Sequence, residues 1–120
     1  MPYGFDNAAW DTAKVEAKAI LAERARVRGM MPYSDLANRI TALSFDYSDA
    51  RFNRWFLREV SVEEYAAGRG MMTALVVYKE GSMEPGPGFY ELAEELGLDT
   101  NDIEACWVAQ LHEVHRAWAQ

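Results

Sequence analysis

The segment "GRGMMTALVVYKEGSMEPGPGFYELAEELGLD", residues 68–99, contains the pattern that decides the fold. Its apolar run at 71–78 predicts a β-strand, because β-branched and aromatic residues dominate its second half. The loop at 79–88 holds two prolines and three glycines, and this density of turn residues predicts a hairpin or wing. The acidic stretch at 88–97 predicts an amphipathic helix.

Working outward, apolar residues at helical spacing predict four further helices, and Pro32 favours a short extended piece before the second of them. The predicted helices cover residues 6–29, 35–43, 50–68, 88–97 and 102–118. The predicted N-caps are Asp6 or Asn7, then Ser34, then Ser48 or Asp49, and finally Thr100 or Asn101.

This order predicts a mainly α fold with a small β element in a single domain, residues 1–120. Three helices followed by a strand and a loop is the order of a winged helix, a variant of the helix-turn-helix. We therefore expect a winged-helix-like core at about 8–90. The acidic helical part at 89–120 is expected to pack on the first helix or on a second copy of the chain.

Length and composition fit one globular domain, since half of the 120 residues are hydrophobic. Cys106 is the single cysteine, so no internal disulfide is expected, which favours a reducing compartment. The N-terminus lacks the pattern of a signal peptide, and no apolar run approaches the roughly 20 residues of a membrane span. We expect a cytoplasmic protein with no membrane partner.

The net charge of −7 is spread unevenly along the chain. Residues 1–79 carry a net charge of +1, whereas residues 80–120 carry −8. Within 24–58, seven arginines stand against three acids. The overall acidity argues against strong non-specific binding of nucleic acid, but it leaves room for a local basic surface.

Candidate residues for catalysis are few. His112 and His115 are three residues apart, not at the four-residue spacing of a zinc-protease helix, and Cys106 falls on another side of the same helix. The chain also lacks a phosphate-binding loop followed by Lys-Ser or Lys-Thr. We predict no catalytic residue, no metal, no cofactor and no small-molecule substrate, with Cys106 as a buried, inert thiol.

Three short motifs resemble the DNA-binding domain of the DNA alkyltransferases. "YSDLA" at 33–37 is similar to that family's Tyr-x-x-aliphatic-Ala helix start, and "SDARF" at 48–52 to its recognition helix. "TALVVYKEGSMEPGPGFY" at 73–90 is similar to the family's Val-Val, Gly-containing turn and Gly-aromatic exit. The resemblance covers about 32–90 and implies a winged-helix-like fold that binds DNA, with Arg51 at the position that enters the helical stack.

The departures from that family exclude its chemistry. Thr73, Ala74 and Leu75 stand where the family has its alkyl-accepting Cys and the His and Arg that follow it. A threonine beside an alanine cannot supply the activated thiolate that accepts an alkyl group.

Two functions remain open from the sequence. In the first, the protein binds double-stranded DNA without catalysis. Arg51, Arg54 and Arg58 would face phosphates or base edges from one helix face. Ser34 and the amides after it would hold one phosphate at a helix N-terminus, and Lys79 with the wing would contact the adjacent backbone.

In the second, the chain is a protein-interaction module or inhibitor, with a protein partner or a homodimer interface. The acidic C-terminal helices would meet a basic surface. Trp55, adjacent to Phe56 and so unable to share its core, and Trp118, close to the C-terminus, would be the anchors.

Overall fold

A computed structural model describes residues 1–79, 81 and 83–119 of the chain. Its regular elements are α1 (Asn7–Arg26), β1 (Met31–Pro32), α2 (Tyr33–Arg39), a π-helix (Arg51–Phe56), α3 (Leu57–Ala66), a 3-10 turn (Met72–Leu75), β2 (Val76–Val77), α4 (Pro87–Glu95) and α5 (Ile103–Ala117). The prediction of a mainly α fold with a small β element is confirmed. No helix among these residues is both long and apolar enough to cross a bilayer.

The segment at 71–77 is buried, but the prediction of a continuous strand at 71–78 is wrong. Only Val76 and Val77 form a strand, and they pair in parallel with Met31 and Pro32. The preceding Met72–Leu75 is a 3-10 turn. In the predicted hairpin or wing, the Tyr78 amide donates a hydrogen bond to the Glu84 carbonyl at 3.0 Å. Positions 80 and 82 of the predicted wing lie outside the described residues.

The 3-10 geometry of this segment follows from the two apolar clusters between which it lies. Met71 and Ala74 belong to the cluster under α4 and α5, whereas Met72 and Leu75 belong to the larger cluster under α1 and α3. A period of three residues places each of these pairs on one side of the segment, because residues i and i+3 eclipse in a 3-10 turn. In a strand, whose side chains alternate with a period of two, residues i and i+3 point to opposite faces, so each pair would be divided between the two clusters.

Side chains from the neighbouring helices satisfy the polar groups of this buried backbone. The Met71 amide donates to Gln110 Oε1 at 3.0 Å, and Trp107 Nε1 donates to the Ala74 carbonyl at 2.9 Å. The Thr73 amide donates to Ser61 Oγ at 3.0 Å. Because burying an unpaired backbone group costs about 1–3 kcal/mol, these bonds take over the role of a second strand.

The predicted helix termini are partly right. Asp6 caps α1, since its carboxylate accepts from the Ala9 amide at 2.9 Å. Asp102 caps α5 instead of Thr100 or Asn101. Ser34 lies inside the first turn of α2 and makes no capping bond, because the helix begins earlier, directly after Pro32. A proline in the extended conformation already sets the chain direction there.

An ionic network joins α1 to α3 outside the larger cluster. Lys14 Nζ lies 2.7 Å from Glu63 and 3.2 Å from Glu59, and Lys18 Nζ lies 2.6 Å from Glu63. Burial would lower the pKa of Lys14, but its hydrogen bonds with Glu63 and Glu59 outweigh this and raise it. Burial would raise the pKa of Glu63, but its bonds to the two lysines lower it. The network therefore favours the charged form of these groups.

Gly70 allows α5 to approach the buried segment. Its φ is +83°, and a Cβ there would lie 3.0 Å from Glu113 Cβ and 3.3 Å from Val114 Cγ2. We expect Gly70→Ala to lower the free energy of unfolding by about 2–4 kcal/mol, from backbone strain together with overpacking. Urea unfolding followed by circular dichroism measures the change. Gly68→Ala is the matched control, since its φ is +82° with nothing within 4 Å of the added carbon. Equal losses in the two variants would contradict a role for the contact with α5.

The ionic network predicts a definite pH dependence. The lowered pKa of Glu63 means that its contribution is present above the ordinary carboxyl pKa of about 4.3 and is lost as the pH falls through the lower folded value. Glu63→Gln should therefore cost up to about 1 kcal/mol near pH 7 and little near pH 3, since pairs of this exposure are weak. Urea midpoints across that pH range test this. Glu94 forms no ion pair among the described residues. The control Glu94→Gln should therefore change the urea midpoint by the same amount near pH 7 and near pH 3.

Candidate functional site

A groove lined by three tyrosines lies between α2, the π-helix and the start of α4. It consists of two adjoining cavities of about 340 and 400 Å³, both bordered by Tyr33, Tyr47 and Tyr78. The rings of Tyr47 and Tyr78 are about half exposed, whereas Tyr33 is 8% exposed and forms the floor. The remaining lining residues are Ser34, Ser48, Asn53, Arg54, Lys79, Gly86, Pro87 and Gly88.

Tyr33 ties the floor of the groove to the end of the 79–88 loop. Its hydroxyl accepts a hydrogen bond from the Gly86 amide at 2.8 Å, and burial raises the pKa of this phenol. A Cβ at position 86 would lie 3.1 Å from the Tyr33 hydroxyl and 2.8 Å from the Tyr78 hydroxyl. A side chain at position 86 would therefore have to displace the Tyr78 phenol and crowd that of Tyr33.

The wall that carries Tyr47 is held by short-range polar contacts. Glu16 of α1 accepts from the amides of Thr41 and Ala42, at 3.0 and 2.7 Å, at the start of this loop. The Tyr47 carbonyl accepts from Asn53 Nδ2 at 3.0 Å. These bonds orient the loop, because each fixes a backbone group that would otherwise turn to water.

Asn53 and Arg54 reach the groove from the π-helix Arg51–Phe56. The wider turn of a π-helix changes the direction of its side chains relative to an α-helix, and such turns are frequent at functional sites. In this case, the turn points Asn53 and Arg54 into the groove while Phe52 and Phe56 remain fully buried.

The expectation that Arg51, Arg54 and Arg58 face a ligand together from one helix face is not met, because each of them lies beside a carboxylate. Arg51 pairs with Asp49 at 2.7 Å and lies over the Phe5 ring, near the N-terminal segment. Arg54 lies 3.4 Å from Glu91 of α4. Arg58 pairs with Glu95 at 2.5 Å.

The position of α4 explains the ion pairs of Arg54 and Arg58. It packs beside the π-helix and α3 and lines up two glutamates, four residues apart, against two arginines that are also four residues apart. The three arginines and their three partners carry no net charge together, and only Arg54 also borders the tyrosine groove.

Of the other residues predicted to contact nucleic acid, Ser34 and Lys79 do lie together. Both border the second cavity of the groove, opposite the Tyr47 and Tyr78 rings. The structure thus brings Ser34, Lys79 and Arg54 to one surface, and it places Arg51 and Arg58 elsewhere.

The two predicted anchor tryptophans differ in exposure. Trp55 is 38% exposed, and one face of its indole stacks on Tyr3 at a centroid distance of 4.8 Å. Trp118 packs against the main core cluster, and the guanidinium carbons of Arg26 and Arg69 lie 5.5 and 5.7 Å from its ring centroid. Trp118 therefore contacts its own chain extensively instead of projecting outward.

The reactive side chains are held in structural roles. The Thr73 hydroxyl shares a buried hydrogen bond with Ser61 at 2.5 Å. Cys106 is buried, as expected, and this burial raises the pKa of its thiol, with a smaller contribution from nearby Asp99. His115 is also buried, with Nε2 3.2 Å from the Gly29 carbonyl. No cluster among the described residues could hold a metal ion.

Sequence reasoning missed the tyrosines, which line the groove most extensively. Tyr33 and Tyr78 flank the extended pieces, and Tyr47 precedes the π-helix, so they are distant along the chain. The available signal was Tyr78 directly before the Gly/Pro-rich loop, and nothing in the sequence connected it with Tyr33 or Tyr47. When the chain is compared with protein families, with curated proteins and with solved structures, nothing matches.

The bond between Tyr33 and Gly86 is directly testable. Tyr33→Phe leaves the buried Gly86 amide without an acceptor, so we expect a loss of about 1–3 kcal/mol in the free energy of unfolding. Hydrogen exchange at the Gly86 amide should become faster. The matched control is Tyr78→Phe, which removes a hydroxyl from the same groove without removing that bond. If the two variants are equally stable, the bond does not hold the loop.

Proposed function

We propose that this protein is a non-catalytic, nucleic-acid-associated protein whose contact surface is the tyrosine groove. The observation that supports this most is the chemistry of the lining. Two cations, Arg54 and Lys79, stand beside three phenol rings, and no carboxylate is among the described lining residues. Cations for phosphates and aromatic faces for bases are the two kinds of group that nucleic acids need.

The proposal moves the contact surface away from the arginine-bearing helix face. Phosphates there would have to displace Asp49, Glu91 and Glu95 from their arginines. In the groove, carboxylates compete less with phosphate for the two cations. Glu91 contacts Arg54 at 3.4 Å, the longest of the three pairs, and Lys79 forms no ion pair among the described residues.

Binding should be modest and salt-dependent. Two phosphate contacts predict a log–log slope of about −1 to −2 for the association constant against salt. Fluorescence anisotropy with labelled oligonucleotides, both single-stranded and duplex, measures it. Arg54→Ala/Lys79→Ala should abolish binding at physiological salt. The control Arg116→Ala removes a cation that does not border the groove, so it should bind normally.

Charge competition gives a sharper version of this experiment. Glu91→Gln releases Arg54 and should tighten binding by about two- to fivefold, the range expected for breaking one exposed pair. Glu95→Gln makes the same charge change one turn further along α4, beside Arg58, and should have a smaller effect. If the two variants tighten binding equally, the effect is long-range and the groove is not the site. If no oligonucleotide binds at low salt, the proposal fails.

A second candidate is a protein-interaction module. The observation that favours it is a cavity of about 360 Å³ on the acidic side of α4 and α5, where Ile103 is 51% exposed beside Glu94 and Glu91. An exposed aliphatic residue rimmed by acids suits a basic partner surface. Binding of a basic protein that Glu94→Lys abolishes and that groove variants leave intact would favour this candidate over the first.

A further inference from the structure

We infer that the groove takes unpaired nucleotides, so that the ligand is single-stranded nucleic acid and not a duplex. This inference rests on the proposed function and specifies its ligand. It follows from the exposure of the rings, the size of the groove and the surroundings of the arginines on the helix that a duplex would require.

The rings of Tyr47 and Tyr78 are only partly covered by the rest of the described residues. Tyr47 is 54% exposed and Tyr78 is 50% exposed, although both border the same groove. Tyr33 supports Tyr78 from below, with ring centroids 5.3 Å apart and a tilt of 42°. An aromatic ring held in this way can stack on a base only if that base has left its own helical stack.

The dimensions favour the same ligand. Cavities of about 340 and 400 Å³ are each of the size that holds one small ligand, and they adjoin. Each has one cation, since Arg54 borders the first and Lys79 the second. Two successive nucleotides would place one base and one phosphate in each cavity.

The contacts that a duplex would need are not available. A winged-helix reader presents a helix to the major groove. In this chain, Arg51 and Arg58 of the arginine-bearing segment are held by Asp49 and by Glu95 of α4, at 2.7 and 2.5 Å, and Arg54 borders the groove instead of the outer helix face. Helix α4 cannot leave this position easily, because Phe89, Leu92 and Ala93 are buried in the second core cluster.

The acids near the groove limit the expected affinity. Asp46 binds the Ser48 amide and hydroxyl behind one wall, and Glu91 stands behind Arg54. A phosphate bound in the groove would lie near the carboxylates of both Asp46 and Glu91, which would repel it. We therefore expect binding that depends on stacking as much as on charge.

The test compares one labelled single strand of about 15 nucleotides with the same strand in a hairpin duplex, by fluorescence anisotropy at low salt. The single strand should bind at least tenfold more tightly. Tyr47→Ala and Tyr78→Ala should each weaken this binding by roughly 5- to 150-fold, the loss expected for one stacked base. Tyr47→Phe and Tyr78→Phe should retain most of it, because the ring remains.

Tyr3→Ala is the matched control, because Tyr3 is a comparably exposed tyrosine that stacks on Trp55 outside the groove. Its affinity should equal that of the unmodified protein. Circular dichroism melts verify that each variant folds. Cross-linking of a thiouracil-containing strand to Tyr47 or Tyr78, mapped by mass spectrometry, locates the base independently of affinity.

The outcomes separate this inference from the function on which it rests. If the duplex binds as tightly as the single strand, or if tyrosine removal leaves binding unchanged, the inference is overturned and nucleic-acid association stands. If neither binds while the fold is intact, both are overturned. A proline-rich peptide that binds in a Tyr47- and Tyr78-dependent manner, without oligonucleotide binding, would also overturn both and make the groove a peptide site.

Discussion

The burial of the backbone from Met71 to Val77 is the constraint on which the rest of the structure depends. This segment lies between two apolar clusters, so water reaches neither side of it. Its polar groups must be satisfied by neighbours, and Ser61 on α3 and Gln110 on α5 do this through their side chains. The positions of α3 and α5 are therefore coupled through one short stretch of chain. Gly70 permits the close approach that this coupling needs.

The position of α4 follows from the same arrangement. The chain leaves the buried segment at Val77, crosses the 79–88 loop and enters α4, whose apolar face joins the cluster that contains Met71 and Ala74. Packed there, α4 sets its glutamates against Arg54 and Arg58. The loop that precedes it closes over Tyr33. One packing solution thus both neutralises the arginines and creates the tyrosine groove.

This arrangement has a consequence for how the protein would recognise a polyanion. A cationic helix face binds phosphates through long-range charge, whereas a groove with two cations and three rings relies on short-range stacking. The second mode suits a chain with a net charge of −7, because stacking contributes binding free energy that does not depend on the charge of the protein and can offset the repulsion of a polyanion. The proposed affinity for unpaired nucleotides and the acidity of the chain are therefore compatible.

By itself, the sequence determined the mainly α class, the approximate helix positions, a cap at Asp6 or Asn7 and the apolar character of the 71–78 segment. These features depend on local periodicity and on side chains near one another along the chain. The 3-10 turn at Met72–Leu75, the π-helix, the arginine pairs with α4 and the groove of Tyr33, Tyr47 and Tyr78 were decided only by the tertiary structure. Each of them arises because residues from distant elements compete for the same space or the same hydrogen bond, and no local pattern records that competition.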